Sequence, residues 1–292
     1  MVNSPYAHVL LAGLIWGTNG LFIKKIQLPV LELSVIRVLI PTLVTWVYLH
    51  FFKGINPWSR WRKWMVIASV LNVVRVIGYF LGFSLTSVGN GILALYTWPL
   101  FVTLFASLML KEKLTKPLIF TLVLAMLGII IIESSQPFTW HSHDLWGLLV
   151  MLGTSMITAV TIIIYKAESP YYSQAEGVFF QNAIGALIAL PAIPWLLMTV
   201  PAGKIVFASA YAFTVGILGF TLFFSALAKI PSSHASLLSY FEVLVTIITG
   251  VIWLHEPLTP NLVLGGTMVI VALILCQTRL QKVGKKIQEE DL

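Results

Sequence analysis

Charge is what this sequence has least of. Lys, Arg, Asp and Glu make up 10% of its 292 residues, against roughly 25% in a soluble domain, which is too little to coat a water-facing surface. A soluble globular protein is thereby excluded. A single cysteine, Cys276, excludes an internal disulfide. No Gly-x-x-x-x-Gly-Lys-Ser/Thr is present, which removes ATP binding through a P-loop, and neither His-Glu-x-x-His nor Gly-x-Ser-x-Gly occurs. No cofactor is expected. The N-terminus has no Lys/Arg cluster before its first apolar run, and that run continues into a second, so no cleavable signal peptide is expected.

Apolar residues fill the gap. They account for 58% of the chain, with a mean hydropathy of +0.93. They fall into ten segments, roughly 8–23, 31–51, 64–84, 88–110, 117–133, 144–164, 176–198, 206–228, 234–254 and 259–278. Most are about the length of a bilayer-crossing helix. Lipid offers the backbone no partner and the alternation of a barrel strand is absent, so each must be helical. The expected fold is an all-α polytopic membrane protein of ten transmembrane helices, its lipid partner the bilayer.

The formal charge of +7 reports topology rather than nucleic-acid binding, because the cations cluster in loops. With a cytoplasmic N-terminus, the inner loops hold Lys53, Arg60, Arg62, Lys63, Lys111, Lys113, Lys116, Lys166 and Lys229, and the tail adds Arg279, Lys282, Lys285 and Lys286. The outer loops keep only Lys24, Lys25 and Lys204. The positive-inside rule then puts both termini in the cytoplasm. No nucleic-acid partner is expected.

A repeat is also present. Shifting the first half by 144 positions lays "LALYTWPLFVTLFASLMLKEKLT" (93–115) over "LLSYFEVLVTIITGVIWLHEPLT" (237–259), matching Tyr96 to Tyr240, Leu100 to Leu244 and Glu112 to Glu256. Five helices per copy is odd, so the second copy enters the membrane from the opposite side. Inverted repeats around a shared site suit alternating access. The expected units are 1–139 and 140–280, followed by a tail at 281–292.

Ten helices, a five-plus-five repeat, "WGTNGLFIKK" in the first helix and acidic turns after the fourth and ninth resemble the drug/metabolite transporter superfamily, and most closely its ten-helix EamA-type exporters. The resemblance covers nearly the whole chain. It implies an inner-membrane bacterial exporter of amino acids or other metabolites, with helices 1, 3, 4, 6, 8 and 9 around a cavity and helices 5 and 10 outside. Many members carry Glu-Pro in the ninth helix; here the pair is Glu242-Val243, and the proline survives in the other repeat as Trp98-Pro99.

Two deep charges stand out among the polar residues. Glu242 shares a helical face with Ser239, Thr246, Thr249 and Gly250, and intramembrane acids mark transport paths by default. Arg75 shares a face with Asn72, Tyr79 and Gly82; its guanidinium suits a carboxylate. Each is read as a substrate or proton site, or else the two form a structural ion pair. Trp98 falls opposite Glu242 under the repeat, and Pro99 frees the Leu95 carbonyl, which favours a hinge. Trp16, Asn19, Tyr79, Tyr96, Ser239 and Tyr240 are further cavity candidates. Arg37 is read as snorkelling beside Glu32 in a structural role. Glu112 and Glu256 are read as turn residues ahead of the capping Thr115 and Thr259, and His141 and His143 as a solvated loop rather than a metal site.

The expected function is secondary transport of a small polar metabolite, an amino acid or similar zwitterion, with protons as the coupling ion. An exporter of cationic or aromatic drugs is the alternative. From other classes, an intramembrane enzyme or a non-transporting scaffold stays open.

Overall fold

The computed structural model describes residues 4–86, 88–134, 144–255 and 257–290. Glu256, His141 and His143 lie outside them. Among the described residues nine helical spans are long and apolar enough to cross a bilayer: α1 (Pro5–Ile26), α2 (Val30–Phe52), α3 (Lys63–Leu85), α4 (Asn90–Met109), α5 (Lys116–Glu133), α6 (Leu145–Glu168), α7 (Gln174–Thr199), α8 (Ala202–Leu227) and α9 (Ser232–Trp253). The tenth, α10 (Pro260–Cys276), is a shorter apolar stretch of a helix that continues to Glu290. The described residues contain no strand.

Local chemistry sets several helix starts. The Thr115 hydroxyl accepts from the Leu118 N–H at 3.4 Å and Thr259 from Leu262 at 3.3 Å, as the capping pattern predicts. Ser173 and Glu176 form a reciprocal capping box at the start of α7.

Eight spans close into a ring, and single side chains trace its seams. The Trp16 indole N–H of α1 donates to the Val215 carbonyl of α8 at 3.2 Å. Helix α8 packs on α2, and α2 on α7. The Asn72 amide of α3 donates to the Gln181 carbonyl of α7 at 2.7 Å, and α3 packs along α6. The Ser155 hydroxyl of α6 reaches the Ala94 and Leu95 carbonyls of α4 at 2.8 and 2.9 Å. The Tyr240 hydroxyl of α9 donates to the Tyr96 carbonyl at 2.8 Å. Thr249 of α9 returns to the Gly17 carbonyl of α1 at 3.2 Å. The wall thus includes α2 and α7 as well as the six helices that the resemblance implies.

Helices α5 and α10 pack against each other outside the ring. A Cβ on Gly128 would stand 2.7 Å from the Gly265 carbonyl oxygen, so the two backbones meet with no side chain between them.

Three ring helices are interrupted: α1 at Thr18, α4 at Tyr96–Thr97 and α9 at Ser239–Tyr240. Broken backbone is tolerated at membrane depth only within protein or beside a cavity. In α4 the cause is Pro99, whose missing N–H leaves the Leu95 carbonyl to Ser155. Helix α9 breaks without a proline. The two breaks are tied together, because Tyr240 donates to Tyr96, the residue 144 positions earlier.

Candidate functional site

Glu242 lies midway along the 22-residue α9, in the first turn after its break. The backbone there presses on α1: a Cβ on Gly17 would come within 2.9 Å of the Glu242 carbonyl oxygen, so only glycine permits the approach. A carboxylate at this depth costs about 2.5–3.5 kcal/mol on insertion scales. The positive end of a helix returns about 0.3–1 kcal/mol, or up to ~2 where partly buried. That is not enough. The side chain is half-buried rather than sealed, and among the described residues its carboxylate makes no hydrogen bond or salt bridge.

The cation that sequence spacing singled out does not pair with Glu242. Arg75 is occupied locally: its Nε and Nη2 donate to the Asn72 Oδ1 at 3.0 and 2.8 Å. Asn72 is itself pinned to α7 through Gln181. Arg75 and Glu242 form no salt bridge. Arg37 lies on α2, the wall helix between α8 and α7. Pro41, one turn along the same face, abuts Gly216 of α8, so this face is turned toward α8. Arg37 is half-buried and, among the described residues, has no hydrogen bond or salt bridge. It does not pair with Glu32, which is buried at the start of α2 with its Oε2 unbonded.

Tyr79 lies one turn beyond Arg75 on α3, and Tyr96 stands at the α4 break, tied to α9 by the Tyr240 hydroxyl. The Tyr79 ring is fixed edge-on against Phe83 at 4.8 Å. Around them stands a wall. Trp16 packs on Phe220 and Phe223 at 4.9 and 5.4 Å, Asn19 accepts from the Tyr211 hydroxyl, and Trp98 opens the segment after the α4 break, half-buried against the main core. Ser239 and Tyr240 are buried, and their hydroxyls are spent within α9 and on Tyr96. The structure therefore ties Tyr96 to the helix that carries Glu242, uses Asn72 to orient Arg75, and leaves Arg37 without a fixed partner among the described residues. The signal for Arg37 was its charge inside an apolar run. Among the described residues no group of three or more His, Cys, Asp or Glu is placed to hold a metal.

One end of the ring is cross-tied. Arg60, before α3, pairs with Glu176 of α7 at 2.7 Å and donates to the Tyr171 carbonyl at 3.1 Å. Arg62 pairs with Glu168 of α6 at 2.8 Å and covers the Tyr171 ring. The Lys166 ammonium donates to the Leu227, Ala228 and Ile230 carbonyls at 2.6, 3.3 and 2.9 Å, capping the end of α8. The Glu112 carboxylate accepts from the Ser232 and Ser233 N–H groups at 2.7 and 3.1 Å and from the Ser233 hydroxyl at 2.7 Å. The turn residue of α4–α5 is therefore the N-terminal cap of α9.

A ring of membrane helices with broken segments and unpaired charge at its centre defines a multi-pass membrane transporter. The EamA-like transporter family profile matches residues 4–134 and again 145–277, and the chain belongs to that family, within the drug/metabolite transporter superfamily. The chain is 20% identical over 277 residues to the pseudopaline exporter CntI of Pseudomonas aeruginosa UCBPP-PA14, covering 94% of this chain and 96% of that one. It is 23% identical over 271 residues to the uncharacterized transporter YoaV of Bacillus subtilis 168, covering 90% and 92%. A solved structure described only as "Crystal structure of protein" superposes with a TM-score of 0.80 at 16% identity over 96% of this chain and 98% of that one, a likeness of fold.

Proposed function

We propose that the chain is a secondary transporter of the bacterial inner membrane that moves a small polar metabolite, an amino acid or similar zwitterion, by alternating access between two inverted five-helix units, 1–139 and 140–280. The observation that carries this is Glu242: a mid-membrane carboxylate, partly buried within a ring of helices and without a fixed partner among the described residues. A structural acid at that depth would be paired, whereas a transport acid must exchange partners during the cycle. The doubled family match supports the two-unit reading. The relative named as a pseudopaline exporter supports outward movement of a small metabolite. Protons are the proposed coupling ion, with Glu242 their carrier, and no enzymatic step is assigned.

The cross-tied end carries the 53–62 and 228–231 connections, and the excess of cations there supports a cytoplasmic position. Cysteines introduced at the exposed Ser59 and Gly203 test the orientation: in intact cells an impermeant thiol reagent labels Gly203→Cys and spares Ser59→Cys. The reverse pattern inverts the topology. Function is tested by counterflow in proteoliposomes with a panel of amino acids and organic cations, with and without a pH gradient. Exchange of label is expected for amino acids; its absence for every compound overturns the transport reading.

A further inference from the structure

The 144-residue repeat also matches Glu32 with Glu176, Pro57 with Pro201 and Arg60 with Lys204. The Arg60–Glu176 pair of the cross-tied end thus has a counterpart at the opposite end of the ring, with Glu32 in the first turn of α2 and Lys204 in the first turn of α8. Half of that counterpart is made. Arg60 donates to the Tyr171 carbonyl at 3.1 Å, and Lys204 donates at 3.1 Å to the carbonyl of Gln27, the residue 144 positions before Tyr171. The other half is open. Arg60 also meets Glu176 at 2.7 Å, whereas Lys204 and Glu32 form no salt bridge among the described residues. Local chemistry leaves Glu32 short of donors. The Glu176 Oε2 accepts from the Ser173 N–H and hydroxyl, both at 2.8 Å. Pro29 holds the matching place before α2 and offers neither donor. Glu32 is buried to 7% exposure with its Oε2 unbonded, a costly state for a carboxylate.

On the transport reading above, we infer that Glu32 and Lys204 are the second latch of the ring, an ion pair made when their end closes and the Arg60–Glu176 pair at the cross-tied end is released. Each pair joins the first five helices to the last five: Arg60 and Glu32 come from one set, Glu176 and Lys204 from the other. Helices α2 and α8, which carry the second pair, already pack together. Gln27 precedes Glu32 by the same five-residue interval that separates Tyr171 from Glu176, so Lys204 sits at the place from which Arg60 reaches its acid. One of its three donors is used on Gln27, and the others can serve Glu32. The two latches belong to different conformations, so they bias one equilibrium in opposite directions.

The test reads one end of the ring while changing the other. Ser169 lines a cavity between α3, α6, α7 and α8 at the cross-tied end. Ser169→Cys combined with Cys276→Ser leaves one thiol in the chain, and its labelling by a maleimide is followed in the purified full-length protein. Arg60→Gln should speed labelling up to about fivefold. Glu32→Gln alone should slow it, and added to Arg60→Gln it should bring the rate back toward the starting value. Lys204→Arg, which gives the far end the same fork as Arg60, should speed labelling and also serves if the glutamine variant folds poorly. Rates that Glu32→Gln and Lys204→Arg leave unchanged, or move in the opposite directions, overturn the inference, because a purely local role for Glu32 does not act across the membrane. Counterflow tests transport separately. Unchanged labelling with counterflow intact removes the second latch alone, and the expected labelling shifts with no counterflow for any compound keep the latch and overturn the transport reading.

Discussion

The cross-tied end and the centre of the ring treat charge in opposite ways. At the end, Arg60, Arg62, Lys166, Glu112 and Glu176 each meet a partner of opposite charge or an open backbone group. Within the ring helices, Arg37 and Glu242 make no hydrogen bond or salt bridge among the described residues. Water is available at the end and scarce at the centre, so electrostatic cost alone predicts the reverse distribution. The contacts at the end hold helices together. The centre keeps its charges available for an exchangeable partner, at the expense of stability.

Breaking the centre should abolish transport without unfolding the protein. Glu242→Gln keeps the shape and removes the charge, so counterflow is expected at background while melting stays within about 3 °C of wild type. Had Glu242 been half of a fixed ion pair, the same change would remove about 3–5 kcal/mol and the protein would express poorly. A stable variant with full transport would erase the contrast between the two regions.

Breaking the end should give the opposite signature. Glu112→Ala strips the acceptor from two N–H groups at the start of α9, a loss of about 1–3 kcal/mol. The melting temperature should fall by several degrees, and Glu112→Gln, which keeps one oxygen acceptor, should recover part of it. An unchanged melting temperature in Glu112→Ala would deny the carboxylate its capping role.

A hinge variant sharpens the comparison at its boundary. Pro99→Ala restores an N–H that competes with Ser155 for the Leu95 carbonyl, so exchange should slow several-fold while equilibrium binding stays constant. If both are unchanged, the break in α4 is not part of the cycle. The smallest effect is expected for Arg60→Ala. The Arg60 side chain is 43% exposed, and pairs of that kind contribute about 0–1 kcal/mol. A loss well beyond that would mean the latch acts as one cooperative unit.

The membrane class, the order of the spans and the equivalence of Tyr96 with Tyr240 were legible because each depends on local pattern: long apolar runs, and a repeated "KEKLT" and "HEPLT" ending. Glu242 was legible because charge is conspicuous in such a run. The direction of Arg37 was not. Six residues into its helix it reads as a snorkelling side chain, and only the packed structure shows its face of α2 meeting α8, where Pro41 abuts Gly216. The cap formed by Glu112 was hidden for a related reason, since its partner lies 120 residues away. The break in α9 also left no trace: it has no proline, and its companion in α4 is recognisable only through Pro99.

The crossing of α5 and α10 constrains how any of this moves. Backbones that touch at Gly128 and Gly265 cannot draw closer, and nothing bulky separates them that could be squeezed out. The first five helices and the last five are therefore clasped at a point outside the ring. If the ring parts at one face during transport, this crossing is the contact expected to hold its spacing while the others shift.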